Sequence, residues 1–141
     1  MQKVFPKIEF IDGAEKGEDF FLLLEGITFD WEKKPFTVPA GFTSDGASVP
    51  RFLWDSVSPR VDPATLSGAI GHDFLYRTAP PGWTRKMADD FFYDCIRLHG
   101  LSWWKAQKAY WGVRLFGSSS WQGEENEEEK KLEEIEEGFV E

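Results

Sequence analysis

The 141-residue chain contains a single cysteine, Cys95, so no disulfide bond can form within it. The fold must therefore depend on its hydrophobic core, and the composition suits a reducing compartment. No apolar run approaches the roughly 18 residues of a membrane-spanning helix, and the N-terminal segment lacks the apolar stretch of a secretory signal. We therefore expect a protein that is made and folded inside a cell, without a transmembrane segment.

Basic residues are scarce, since 16 Lys and Arg stand against 25 Asp and Glu, and the formal net charge is −9. No basic stripe is present, which argues against nucleic-acid binding. Residues 124–141 contain ten Glu and two Lys, a net charge of −8, so the rest of the chain is almost neutral. We predict one domain over residues 1–121 and an acidic tail, flexible or helical, over 122–141. Such a tail would suit a basic partner.

Aromatic residues are abundant, at 16% of the chain with 13 Phe and seven Trp. These rings can fill a core, and any surplus forms an exposed patch of the kind used for contact with partners. Trp103, Trp104 and Trp111 are too many for one buried helix face, so we expect at least one of them to be exposed.

Short aromatic and β-branched runs in the first fifty residues predict strands, whereas later segments have the spacing of helices. Proline or a capping residue precedes each helical segment, and Pro80, Gly100 and Gly117 follow them. The sequence therefore predicts an α+β domain, in which a small antiparallel sheet precedes three helices. The expected strands span residues 4–11, 20–24, 27–31 and 36–38, and the expected helices run from 63 to 79, 84 to 98 and 102 to 116.

His72 lies in the middle of the first predicted helix, with Tyr76 one turn later on the same face. A short loop should make the second helix antiparallel to the first, and either Asp89 or Asp90 would then face His72. A histidine oriented by a carboxylate can take a proton from water, which predicts a general base in a solvent-connected cleft. The alternative is a buried histidine with a structural carboxylate partner.

Asp73 follows His72 and can hold a cation over the same cleft. In the alternative interpretation it pairs with Arg77, one helical turn later. His99, at the end of the second predicted helix, is expected to interact with the helix dipole and to do nothing more.

A polar loop over residues 43–51 joins the predicted β and α halves. The Asp45 carboxylate, in a tight turn with Gly46, can bind a hard cation, and Ser48 can act as a nucleophile or a hydrogen-bond donor. We expect Arg51 to converge on the same cleft. In the alternative interpretation, Asp45 and Ser48 bond to backbone amides and Arg51 forms a structural ion pair.

Four motifs stand out together. They are 38–51 (VPAGFTSDGASVPR), 72–77 (HDFLYR), Arg85 with Ala88, Asp89 and Phe92, and Tyr110, Val113, Arg114 and Gly117. In combination they resemble the domain of unknown function 1353 family, which occurs mainly in tailed phages and prophages. The resemblance covers residues 36–121 and implies a phage or prophage origin without naming a reaction. It implies a place of action in the cytoplasm of the infected host or in the virion.

The same helix pair is similar to the catalytic helices of phospholipase A2, in the segments HDFLYR and ADDFF. This resemblance implies that His72 is the general base, that Asp89 orients it and that Tyr76 supports the network. It also implies that Asp73 is a ligand of Ca²⁺, which polarises the ester carbonyl. The Gly- and Cys-rich calcium loop of that family is absent, so the turn at Asp45 would have to replace it.

Two functions follow from the sequence. The first is a His/Asp-dependent hydrolase of ester, lipid or cell-envelope substrates. The second is a non-enzymatic phage accessory or virion protein, which uses the same surface to bind phage structural proteins. A smaller possibility is a phage protein that binds or degrades a small molecule of the host.

Overall fold

The computed structural model describes residues 1–11, 21–44 and 63–123. Three helices dominate this part of the chain: α1 (Pro63–Thr78), α2 (Arg85–Leu98) and α3 (Trp103–Phe116). Pro63 is the first residue of α1, where its missing N–H costs no hydrogen bond. The hydroxyls of Thr84 and Ser102 cap α2 and α3 by accepting backbone amides of the first turn. These helices agree with the predicted ones to within one or two residues.

Within the described ranges, five short strands precede the helices and form two antiparallel sheets. The first sheet has the order β1-β2-β5, and the second is a hairpin of β3 and β4. This arrangement confirms the predicted α+β class, with two small sheets in place of one. The strands are β1 (Ile8–Phe10), β2 (Phe21–Leu23), β3 (Ile27–Trp31), β4 (Lys34–Val38) and β5 (Thr43–Ser44).

Strand β4 begins at Lys34, two residues before the predicted strand 36–38. The turn consists of Glu32 and Lys33 alone, and both have positive φ, which gives the twist of a tight hairpin. Pro35 lies opposite Asp30, and within the described residues its sheet has two strands, so no neighbouring strand in this part of the chain needs the missing N–H of Pro35. A proline at this position is therefore compatible with a strand.

The larger hydrophobic cluster of the described residues lies between the β3–β4 hairpin and the helices, and a second cluster lies among the three helices. Alternate residues of β3 are buried, and Phe29 packs edge-on against Phe91 of α2, with ring centroids 5.1 Å apart. Phe36 stacks on Phe74 of α1 at 6.1 Å. Burial of such rings is the main stabilising contribution of the hairpin, at about 1.5–3 kcal/mol for each fully buried side chain.

Helices α1 and α2 approach closely because α1 presents glycines to α2. A Cβ atom at Gly71 would lie 2.7 Å from Cε1 of Phe91, and one at Gly68 would lie 2.9 Å from Cγ2 of Ile96. Both distances are too short for a side chain without displacement of the neighbour. The glycine before His72 therefore sets how near His72 comes to α2.

Two tryptophans at the start of α3 are exposed, Trp103 at 50% and Trp104 at 71%, which confirms that at least one of the three tryptophans of this helix is exposed. No helix in the three described ranges is long and apolar enough to cross a membrane. The acidic segment 124–141 lies outside the described residues, so the division of the chain at residue 121 stays a prediction.

Candidate functional site

His72 of α1 and Asp89 of α2 form a hydrogen bond between side chains that are both fully buried. Nε2 of His72 lies 2.6 Å from Oδ1 of Asp89. Tyr76, one turn after His72, donates its hydroxyl to the same oxygen, also at 2.6 Å. The structure therefore brings together the three side chains that the sequence assigned to one site, and it selects Asp89 over Asp90.

Two buried arginines complete the network, and the sequence analysis did not assign either of them to it. Nη1 of Arg114 donates to Oδ2 of Asp89 at 2.9 Å, and Nη1 of Arg85 lies 3.5 Å from the same oxygen. The Arg85 guanidinium also donates to the carbonyls of Val113 and Arg114 at the C-terminal end of α3. One carboxylate thus links all three helices.

The pKa of Asp89 reflects this environment. Burial by itself raises the pKa of the carboxyl group, but the hydrogen bond and charge of His72, then Arg114 and Tyr76, lower it below its ordinary value of 3.8. Burial, followed by the charge of Asp89, raises the pKa of Tyr76 well above 10. At neutral pH Asp89 is therefore ionised and Tyr76 is a neutral hydrogen-bond donor.

An ionised Asp89 fixes the tautomer of the His72 ring, because Nε2 must carry the proton that it donates. In the neutral ring the lone pair then lies on Nδ1. This atom is buried and has no hydrogen-bond partner among the residues that the structure describes. His72 is 0% exposed, so in the part of the chain that the structure describes, its ring is not open to the predicted solvent-connected cleft.

Asp73 forms an ion pair with Arg77, with Oδ2 and Nη2 3.0 Å apart. This is the pairing of the alternative interpretation. Arg77 also donates to the carbonyl of Thr43 in β5, which ties α1 to the first sheet. No group of three or more His, Cys, Asp or Glu side chains in the described ranges is arranged to hold a metal ion. The residues described here therefore do not by themselves make a calcium site.

Asp90 lies on a different face of α2 from Asp89. It accepts hydrogen bonds from the Tyr110 hydroxyl at 2.6 Å and from the Lys86 ammonium at 2.9 Å. Asp90 thus does not support His72, although it was predicted as a possible partner. Three other predicted site residues, Asp45, Ser48 and Arg51, lie outside the described residues, and their convergence on His72 stays a prediction.

His99 does more than interact with the helix dipole, so that expectation was wrong. Its Nδ1 donates to the carbonyl of Cys95 at 2.7 Å, and its Nε2 accepts the amide of Val4 at 2.9 Å. The ring therefore holds the N-terminal segment against the end of α2. Its contact with Val4 spans 95 residues of sequence, and no local pattern could have revealed it.

The chain matches a family model described as a protein of unknown function (DUF1353) over residues 21–113. It belongs to the DUF1353 family. The match includes His72, Tyr76, Arg85 and Asp89, and it ends one residue before Arg114. Most of the buried network therefore lies within the part of the chain that defines a DUF1353 protein.

A curated relative of this DUF1353 protein is the uncharacterized protein y4jT of Sinorhizobium fredii (strain NBRC 101917 / NGR234). The two are 30% identical over 115 residues, which is 79% of this chain. The chain covers only 32% of the length of that relative. No solved structure matches the DUF1353 chain.

Proposed function

We propose that this protein is a hydrolase of ester substrates of the lipid or cell-envelope class, with His72 as its general base and Asp89 as the residue that orients it. The observation that carries the proposal is the state of the His72 ring. Its Nε2 is bonded to an ionised Asp89, while Nδ1, which carries the lone pair whenever the ring is neutral, has no partner among the described residues. A histidine in this arrangement can remove a proton from water.

The proposed reaction begins with water placed at Nδ1 of His72. Nδ1 takes a proton from the water while the oxygen forms a bond to the ester carbonyl carbon, and the π pair of the carbonyl moves to its oxygen. Asp89 stabilises the resulting imidazolium through the 2.6 Å bond to Nε2. The C=O bond then re-forms as the ester C–O bond breaks, and the imidazolium returns its proton to the departing alkoxide, which yields an acid and an alcohol.

Tyr76 and the two arginines have positioning roles in this proposal. The Tyr76 hydroxyl and Nη1 of Arg114 hold the two oxygens of Asp89, so the carboxylate cannot rotate away from His72. Arg85 donates to the Tyr76 hydroxyl at 3.3 Å and to the carbonyls of Val113 and Arg114, and so it links the Tyr76 end of the network to α3. Each group acts through Asp89 or Tyr76 and does not itself touch a substrate.

The complete burial of His72 supports a second candidate function. A substrate would reach Nδ1 only if side chains around the ring moved, and a fully buried network also serves to join three helices. In that case the protein is a non-enzymatic phage accessory or virion protein. The two candidates differ in what a change at His72 does to ester hydrolysis.

The decisive experiment compares His72→Gln with Tyr76→Phe. A glutamine amide can retain a donor near the position of Nε2, so that Asp89 keeps a partner, but it has no basic nitrogen. Tyr76→Phe removes a different hydrogen bond to the same carboxylate and retains the His72 ring. Initial rates would be measured on p-nitrophenyl esters and on phospholipid vesicles, with thermal midpoints for each variant.

For a hydrolase, we expect His72→Gln to lower kcat by about 10²–10⁴-fold, the usual contribution of a general base. We expect Tyr76→Phe to retain most of the activity at a comparable stability. Equal rates for the wild type and His72→Gln across the panel would contradict the hydrolase and leave the accessory protein as the function.

Calcium and biological setting are further parts of the proposal. Asp73 and Asp45 stay the proposed calcium ligands, so every assay would be run with Ca²⁺ and with a chelator. Activity that is unchanged by the chelator would remove calcium from the mechanism.

Because its sequence motifs resemble those of a phage family, we further propose that this is a phage or prophage protein. It would act in the cytoplasm of the infected host or be associated with the virion.

A further inference from the structure

A groove on the opposite side of α2 from His72 has walls made of aromatic rings. It lies between α2, α3 and the β3–β4 turn and has a volume of about 410 Å³. Tyr110 packs edge-on against both Tyr93 and Trp111, with centroids 5.7 and 5.3 Å apart. Trp31 completes the aromatic lining. The volume is within the range of sites that bind small molecules or single side chains.

The charged residues that line the groove are acidic. Glu32, Asp90 and Asp94 line it, and Lys86, which pairs with Asp90, supplies a neighbouring positive charge. Asp90 already accepts two hydrogen bonds, and Oδ2 of Asp94 accepts the indole N–H of Trp31 at 2.8 Å. The Glu32 carboxylate and Oδ1 of Asp94 have no hydrogen-bond partner within the described ranges.

Aromatic rings and free carboxylate oxygens together favour one class of ligand. Aromatic faces attract organic cations. Free carboxylate oxygens favour a cation that has N–H donors, because a quaternary ammonium group has none to offer them. A guanidinium group satisfies both conditions, since it stacks on rings and binds carboxylates through two parallel hydrogen bonds.

A second cavity of about 280 Å³ continues the groove, because it shares Trp31, Glu32 and Asp94 with the first. Met1 and Leu98 form the rest of the lining of this second cavity, and both are apolar. A ligand that places a guanidinium between the rings therefore has room to extend along the surface. We propose that this groove binds an arginine side chain of a peptide segment in a partner protein. This site is separate from the His72 network and does not depend on the proposed hydrolase.

The test is calorimetric titration of the full chain with the blocked peptide Gly-Gly-Arg-Gly-Gly. A second peptide, in which citrulline replaces arginine, has nearly the same shape without the charge. We expect the arginine peptide to bind at least tenfold more tightly than the citrulline peptide. Equal binding, or no binding of the arginine peptide at millimolar concentration, would overturn the proposal.

Two variants locate the binding to this groove. Glu32→Gln removes a carboxylate that has no partner within the described residues, so it should fold normally, and we expect about tenfold weaker binding. Glu9→Gln is the matched control, because Glu9 is exposed on β1 and away from the groove. Equal effects of the two substitutions would contradict the assignment.

Two small cations test whether the groove recognises a guanidinium group and whether that group must belong to a peptide. Agmatine has a guanidinium without a peptide, and tetramethylammonium is a cation without N–H donors. Weaker binding of both than of the arginine peptide would support the proposal. If agmatine bound as tightly as the peptide, a peptide would not be the occupant, and if tetramethylammonium did so, the guanidinium assignment would be wrong.

Discussion

Substitution of Asp89 by Asn should destabilise the protein far more than the same change at the next residue. One oxygen of Asp89 accepts from His72 and Tyr76, and the other accepts from Arg114 and lies near Arg85. An asparagine amide would present N–H groups to one of these pairs of donors. It would also remove the negative charge that lies between the buried guanidinium groups of Arg85 and Arg114.

The expected loss in the free energy of unfolding is about 3–5 kcal/mol, the usual cost of removing one partner from a buried ion pair. The loss of two hydrogen bonds to a charged group, at about 1.5–3 kcal/mol each, gives a similar figure. Since domains of this size are stable by about 5–15 kcal/mol, Asp89→Asn would remove a large part of the total. The thermal midpoint should fall by about 10–20 °C.

Urea unfolding followed by circular dichroism and tryptophan fluorescence measures this loss. Asp90→Asn is the matched control, because its carboxylate is 34% exposed and Lys86 is its ionic partner. Surface pairs of this kind contribute at most about 1 kcal/mol. If Asp89→Asn were no more destabilising than Asp90→Asn, the buried network would not be the electrostatic link between the helices.

Three further predictions follow. Because the native pKa of Asp89 is lowered, its ionised form stabilises the fold above the unfolded-state pKa near 4, and this contribution is lost as pH falls through the native pKa. Urea midpoints between pH 2 and 7 should therefore fall steeply below pH 4 in the wild type and more gently in Asp89→Asn; parallel profiles would contradict this. Burial raises the pKa of Cys95 to about 12, so a thiol reagent at pH 8 should label it slowly until urea unfolds the chain, and rapid native labelling would show that it is accessible. Truncation after Gly123 removes a segment with a net charge of −8 and few apolar residues, and should leave the thermal midpoint almost unchanged; a large loss would mean that the acidic segment packs on the domain.

Much of the secondary structure could be predicted because its determinants are local. Pro63, Thr84 and Ser102 mark helix starts through the requirements of the first turn, which do not depend on the rest of the fold. The predicted strand over 36–38 wrongly left out Pro35, because the determinant at this position is not local. A proline disfavours a strand only when a neighbouring strand needs its N–H, and the sequence does not reveal that β4 has one partner.

The candidate site was partly predictable for a similar reason. The spacing of four residues puts His72 and Tyr76 on one face of α1, and a short loop makes α2 antiparallel to it. These facts limit the carboxylate partner to Asp89 or Asp90. The choice between the two depends on the rotation of α2 about its axis, which is set by its packing against the glycines of α1 and against α3.

The helices, the fold class and the pairing of His72 with one of two aspartates therefore follow from local sequence. The choice of Asp89, the contacts of Arg85 and Arg114 with it, the complete burial of His72 and the bond between His99 and Val4 depend on how the helices pack. In a sequence, an arginine on a helix looks like a surface residue, because its charge alone favours water. Only the three-helix arrangement supplies the buried carboxylate and the free carbonyls of α3 that compensate for its desolvation.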